Sequence, residues 1–167
     1  MRIAVISDSH DNIWKLEEAM PHLAAADVVL HCGDIIAPFM IIRLIKGTNN
    51  RPVHIVWGNN DGDKLLLAKV ANSAANIHLH GDFAFLDLEG FKVAINHYPK
   101  LAHSLAKSGS FDLVCYGHDH TAHQEWVGDT LLLNPGELMG MNTRSTLAMY
   151  DTSKRVVNFI EIGSPTG

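Results

Sequence analysis

Five short apolar runs in this chain each stop at an aspartate, asparagine or histidine. "RIAVIS" (2–7) is followed by Asp8-Ser9-His10, "DVVLHC" (27–32) by Gly33-Asp34, and "VHIVW" (53–57) by Gly58-Asn59-Asn60-Asp61. "FKVAIN" (91–96) runs into His97, and "FDLVCY" (111–116) into Gly117-His118-Asp119-His120. Short β-branched runs bounded by turn residues read as buried strands. Open α/β sheets gather their sites at the carboxyl ends of strands. Five such endings point to a fold that brings those ends to one crevice.

The stretches between the early runs read as helices. Asp11 or Asn12 is placed to cap a helix through about Ala26, with Ile13, Leu16, Met20 and Leu23 on one face. Pro21 should kink or split it. Pro38 opens a second helix that ends before Gly47, and Asp63 caps a third over "KLLLAKVANSA". After residue 77 the rhythm changes to period-2 alternation around Glu89-Gly90, a hairpin signal. A short helix over "KLAHSLAKSG" should stop at Gly109, and "TLLLN", "STLAMYD" and "RVVNFIEI" read as later strands. Strand–helix alternation followed by hairpins predicts an α/β fold of two mixed sheets packed face to face with helices outside. A single domain over residues 1–163 is expected, with 164–167 a frayed tail.

Composition narrows the function classes. With 167 residues, 47% of them hydrophobic, the chain can bury a full core without disulfides. Its formal charge of −5 argues against general nucleic-acid binding, which needs a basic patch to neutralise phosphates. Cys32 and Cys115 each lie in an apolar run and read as buried free thiols. The first apolar run is too short for a signal peptide and no run approaches a membrane span, so a cytoplasmic protein is expected.

The strand-end residues carry the chemistry. Asp8 and His10 are two apart, as are His118 and His120, so in extended backbone each pair points one way. Gly33, Gly58 and Gly117 allow sharp turns or close backbone approach. Each fragment alone is ordinary: Gly-Asp is usually a turn, and Asn59-Asn60-Asp61 reads first as a turn or cap cluster. Five of them in order, all at strand ends, point to a metal site. Carboxylates mixed with imidazoles suit Mn, Fe, Zn or Ni better than Ca, and the lack of a cysteine among these strand-end residues argues against a structural zinc knot. His31, in "HCGD" beside Asp34, is expected to support a ligand from behind. Trp14, Trp57 and Trp126 are assigned to packing, His22, His78, His80 and His123 to the surface, and His54 and His103 to structure.

Asp8-x-His10, Gly33-Asp34, Gly58-Asn59, His97 and Gly117-His118-x-His120 together resemble the calcineurin-like metallophosphoesterase superfamily. The short length and "LLLNPG" (131–136) look most like its small bacterial and archaeal phosphodiesterase branch. The resemblance implies a four-layer αββα sandwich and a site for two divalent transition-metal ions, Mn foremost, with Ni, Fe, Zn or Co as alternatives. One ion would be held by Asp8, His10, Asp34 and His120, the other by Asp34, Asn59, His97 and His118, with Asp34 bridging. It further implies hydrolysis of small phosphodiesters by in-line attack of a metal-bridging hydroxide. In that reading Asp34, Asn59 and His97 act in catalysis through the metals. Asn60 stands where larger relatives carry a general-acid histidine, and it cannot act as an acid. Glu137, after "NPG", replaces a small hydroxyl residue and is expected to repel anions or bind an extra cation. Tyr98-Pro99 also departs from the small residue expected after the ligand histidine, which implies a reshaped pocket. Two other classes stay open: a non-catalytic scaffold or protein-interaction subunit of the same fold, and a phosphomonoesterase. A homo-oligomer is compatible with all of them.

Overall fold

The computed structural model describes residues 1–163 of the chain; the tail expected at 164–167 lies outside the described residues. The first half runs β1 (Arg2–Ile6), α1 (Ile13–Ala25), β2 (Val28–His31), α2 (Pro38–Gly47), β3 (Val53–Ile55), α3 (Lys64–Ala71) and β4 (Ile77–Leu79). The second half runs β5 (Phe83–Leu88), β6 (Phe91–Asn96), α4 (Pro99–Lys107), β7 (Leu113–Cys115), β8 (Ala122–Val127), β9 (Thr130–Pro135), β10 (Thr146–Asp151) and β11 (Val156–Glu161).

Two mixed sheets result. One has six strands in the order β11-β10-β1-β2-β3-β4, the other five in the order β5-β6-β7-β9-β8. Within the first, β1, β2, β3 and β4 are parallel neighbours, and within the second so are β6, β7 and β9. The five strands with metal-competent endings are therefore β1-β2-β3 side by side in one sheet and β6-β7 in the other, with their carboxyl ends along common edges.

Side-chain alternation explains why these strands read as continuous apolar runs: both of their faces are covered. Ile3, Val5 and Leu30 pack against Val93, Ile95, Leu113 and Leu133 between the sheets. Ala4, Ile6 and Val29 turn outward and pack on Leu16, Leu23, Ile41 and Leu67 of α1, α2 and α3. Ala94, Val114 and Leu132 turn outward on the second sheet and meet Ala102 and Ala106 of α4. The layers are helix, sheet, sheet, helix, as the resemblance implied.

Local expectations fare unevenly. Asn12 caps α1, accepting from Lys15 N at 3.1 Å, while Asp11 instead accepts from Ala37 N across the site. Pro21 does not split α1, which runs unbroken from Ile13 to Ala25. Asp63 caps α3 through Leu66 N at 2.9 Å. Trp57 packs against the helix-side core, but Trp14 is 70% exposed and Trp126 44% exposed. Trp14 sits in the first turn of α1 away from the stripe that packs on the sheet. Trp126 lies on the edge strand β8 under the guanidinium of Arg155, 4.3 Å from the ring centre. Cys32 and Cys115 are both buried and free.

Candidate metal centre

The ends of β1, β2, β3, β6 and β7 are tied together by backbone hydrogen bonds before any side chain acts. Asp8 N donates to Gly33 O at 3.0 Å, His10 N to Asp34 O at 3.1 Å, and Gly117 N to His97 O at 3.1 Å. The end of β9 joins them, because Leu138 N donates to Ser7 O and Met139 N to Asp8 O.

The glycines make this closeness feasible. A methyl group on Gly58 would lie 2.1 Å from Asp34 Oδ1, and one on Gly33 2.7 Å from both Gly58 N and His97 Nδ1. On Gly117 it would lie 2.0 Å from Ser7 Oγ and 2.6 Å from Asp8 Oδ2.

The expected extended geometry does not hold. Asp8, His10, Asp34, His118 and His120 all have positive φ, between 40° and 76°. After β1, β2 and β7 the side chains converge because the chain turns in left-handed conformations, not because strand alternation continues. Each such residue costs on the order of 1–3 kcal/mol and persists only where the surroundings enforce it.

Two clusters of ligand atoms form, each with all its atoms within 4.8 Å of one another. One joins Asp8, His10 and His120; the other joins Asp8, Asp34 and His97. Asp8, Asp34 and His97 are buried, while the His10 and His120 side chains keep 22% and 18% of their surface open. Asp34 Oδ2 lies between the clusters, 3.4 Å from His10 Nε2 and 3.5 Å from His97 Nε2. Asn59 Oδ1 lies 3.0 Å from His97 Nε2 and 2.8 Å from His118 Nδ1. His118 stands outside both clusters and is exposed.

A divalent cation fits this donor set. Asp8 Oδ1 and His10 Nε2 are buried with no hydrogen-bond partner, and at 3.8 Å from each other they are too far apart to satisfy one another. Unpaired buried groups of this kind call for an occupant. His97 Nδ1 donates to Cys32 O at 2.8 Å, which leaves the Nε2 of a neutral ring bare and aimed at Asp34 and Asn59. Orienting a ligand histidine through its other nitrogen is the usual support for a metal.

Burial pushes the Asp34 carboxyl up, but contacts from His97 and from the backbone and side chain of Asn60 outweigh it and hold it well below the usual carboxylate range. Asp8 is likewise pushed up by burial and brought below its ordinary value by His10, Ser7, His97 and His120 around it. Both carboxylates are thus ionised at neutral pH, the state in which they could hold a cation.

Several supporting residues take roles that the sequence did not disclose. Asp61 accepts four backbone N–H groups: Ile35 and Ile36 at Oδ1 (2.7 and 2.8 Å), Gly58 and Asp34 at Oδ2 (2.6 and 3.2 Å). It knots the β2 and β3 loops without being a ligand, and its only signal was a third polar residue after Asn59-Asn60. Asn60 N donates to Asp34 Oδ1 at 2.8 Å and its side-chain amide to Oδ2 at 2.7 Å, so it holds the carboxylate in place. His31 touches no ligand side chain: its Nδ1 accepts from Gly33 N at 3.2 Å and its Nε2 lies 3.0 Å from Ser9 Oγ. It braces the two loops that carry Asp8, His10 and Asp34. Asn134 of "NPG" donates to Gly117 O and Asp119 Oδ1, which draws Asp119 away from the clusters.

Glu137 departs from expectation. It is fully buried and turned onto His120 Nδ1 at 2.5 Å, so it is closed off from solvent. Tyr98 is 41% exposed and stands edge-on to His97 and His118, with ring centres 5.2 and 5.3 Å away, at the rim of the site.

Comparison with known proteins agrees with this geometry. A model of the calcineurin-like phosphoesterase superfamily domain matches residues 1–155. A phosphodiesterase of Methanocaldococcus jannaschii is 32% identical over 162 residues, covering 93% of this chain and 95% of that protein. A probable metallophosphoesterase of Bacillus subtilis is 31% identical over 152 residues, 87% of this chain and 80% of its own. Among solved structures, one described as a novel archaeal phosphodiesterase superposes with a TM-score of 0.89 at 30% identity, covering 97% of this chain and 100% of that one.

Proposed function

The chain belongs to the calcineurin-like phosphoesterase superfamily, and from that membership we propose that it is a metal-dependent phosphodiesterase acting on small phosphodiesters. What most supports this is the pair of buried atoms without hydrogen-bond partners, Asp8 Oδ1 and His10 Nε2, 3.8 Å apart, a separation that a shared cation would satisfy. Asp8, His10, Asp34 and His120 would hold one divalent ion and Asp34, Asn59, His97 and His118 a second, with Mn the proposed resident. When bound, two such ions lower the pKa of water and offset charge on the phosphoryl oxygens.

The chain's own residues supply position. Asp34, gripped through both oxygens by Asn60, stays between the two sets of imidazoles. His97, anchored on Cys32 O, presents Nε2 and not Nδ1. His118 and Tyr98 line the open side, where a diester would enter, and the Tyr98 ring offers a face to an aromatic substituent.

Because the Asn60 amide is committed to Asp34 and has no acidic proton to give, it cannot protonate the leaving group. A missing general acid costs about 10²–10⁴-fold, most for poor leaving groups. Aryl diesters should be cleaved faster than alkyl diesters by at least that factor; equal chemical-step rates for the two would refute this.

The decisive experiment is a panel of mono- and diesters across Mn, Ni, Co, Zn and Mg, with Asp34→Asn as control. Diester hydrolysis that chelation abolishes, added metal restores and Asp34→Asn removes is the expected result. Preference for monoesters would make the protein a phosphomonoesterase. Protein-partner binding without hydrolysis under any metal would make it a scaffold. Every ligand position is filled in this chain, which weighs against the scaffold.

A further inference from the structure

We propose that Glu137 is the positioning residue that selects His120 Nε2 as a metal-facing atom and so sets the affinity of the position formed by Asp8, His10 and His120. The proposal rests on reading that cluster as a metal centre.

Glu137 is completely buried, and each of its oxygens is committed. Oε1 accepts the backbone N–H groups of Asn142 and Thr143, both at 2.6 Å. Oε2 lies 2.5 Å from His120 Nδ1. An N···O approach that close needs a hydrogen between the atoms. With the carboxylate accepting, the hydrogen sits on Nδ1. Asn142 Nδ2, 3.3 Å from the same nitrogen, is a far longer competitor. Neutral His120 therefore carries its lone pair on Nε2, which faces Asp8 Oδ1 at 3.4 Å, inside the cluster.

The same carboxylate fastens a strap. Thr143 Oγ1 donates to His120 O at 3.0 Å, so the segment after "NPGE" grips His120 by backbone and by ring through one buried residue. This is the carboxylate–histidine–metal arrangement, in which the outer carboxylate fixes the tautomer and raises ligand basicity; its removal typically costs about 10–100-fold in metal affinity.

Glu137→Gln makes a sharp test. Its amide oxygen would keep the two backbone N–H groups, and its NH₂ would then face His120 Nδ1. That donor drives the ring hydrogen to Nε2, the wrong nitrogen for the ion. Nitrogen-15 NMR of histidine-labelled, metal-free protein at pH 8, with His120 assigned by its loss in His120→Gln, reads the tautomer directly. Wild type should carry the hydrogen on Nδ1 and Glu137→Gln on Nε2. Calorimetric titration of metal-free protein with Mn²⁺ should show two equivalents in wild type. In Glu137→Gln, one should be weakened about 10–100-fold and the other kept. Glu137→Ser, which removes the carboxylate without offering a donor amide, should weaken the same equivalent.

A wild-type His120 with its hydrogen on Nε2 would overturn the proposal whether or not the variants fold. So would unchanged affinity for both equivalents in folded Glu137→Gln. Wild type that binds no divalent ion at all would instead overturn the metal-centre reading beneath it.

Discussion

At the residue scale, the least conspicuous side chain in the site is among the most important. Asp61 contributes no atom to either ligand cluster but accepts four backbone N–H groups from the loops after β2 and β3, that of Asp34 among them. Asp61→Ala should cost about 3–5 kcal/mol, because it strands several buried donors together. Urea unfolding would measure this, and Asp61→Asn, which keeps one acceptor oxygen, should lose clearly less. His31 makes the opposite kind of prediction. Burial pushes its imidazole down to about 4 from the ordinary 6.5. In the folded state it stays neutral down to about pH 4, with Gly33 N donating to its Nδ1, while in the unfolded chain it takes a proton near 6.5. Its effect is absent above 6.5, and stability falls as pH drops from 6.5 to 4, by roughly 3 kcal/mol at most. His31→Asn should flatten that part of a pH–stability curve; an unchanged slope would show that His31 titrates freely in the fold. The Asp61 role was not legible in sequence, since a polar residue in a loop looks the same whether it collects backbone donors or faces water; for His31 a supporting place was expected but not its partners, Gly33 N and Ser9 Oγ.

At the scale of elements, the strand ends matter more than the strands. Gly117 leaves no room for a side chain beside Ser7 and Asp8. Gly117→Ala must push the Asp8 loop aside, and a displacement near 1 Å can cost about 10²-fold in rate. Hydrolysis should fall by that factor or more with the circular dichroism spectrum preserved; wild-type activity would show that the loop yields freely. The buried parallel strands and the capped helices were legible because hydrophobic period and cap residues act over a few neighbours. β4 and β8 were not. β4 is three residues long, and β8 "AHQEWV" is an edge strand with little burial and no alternation to read. Trp14 misled for a related reason: bulk alone places no residue inside when the packed stripe of its helix is already complete.

For the whole molecule, the site is the place where two sheets and five strand ends meet, so metal and fold should stabilise one another. Ligand binding only to the native state adds about 2.7 kcal/mol at a hundredfold excess over Kd. In a domain of this size that should raise Tm by roughly 5–10 °C. Scanning calorimetry with chelator and then with Mn²⁺ tests this, and an identical Tm would argue against a preformed centre. The sequence by itself determined the class of fold, the order of the helices and of the strands that carry the site, and which residue types stand at the strand ends, because these follow from short-range periodicity and from the chemistry of Asp, Asn and His. Only the tertiary structure decided which of those side chains gather into the two clusters and which become braces. That division depends on contacts between segments far apart in the chain: Asn60 on Asp34, Cys32 on His97, Glu137 on His120. No local pattern encodes them, since each hydrogen bond exists only once the two sheets are packed and their strand ends face each other.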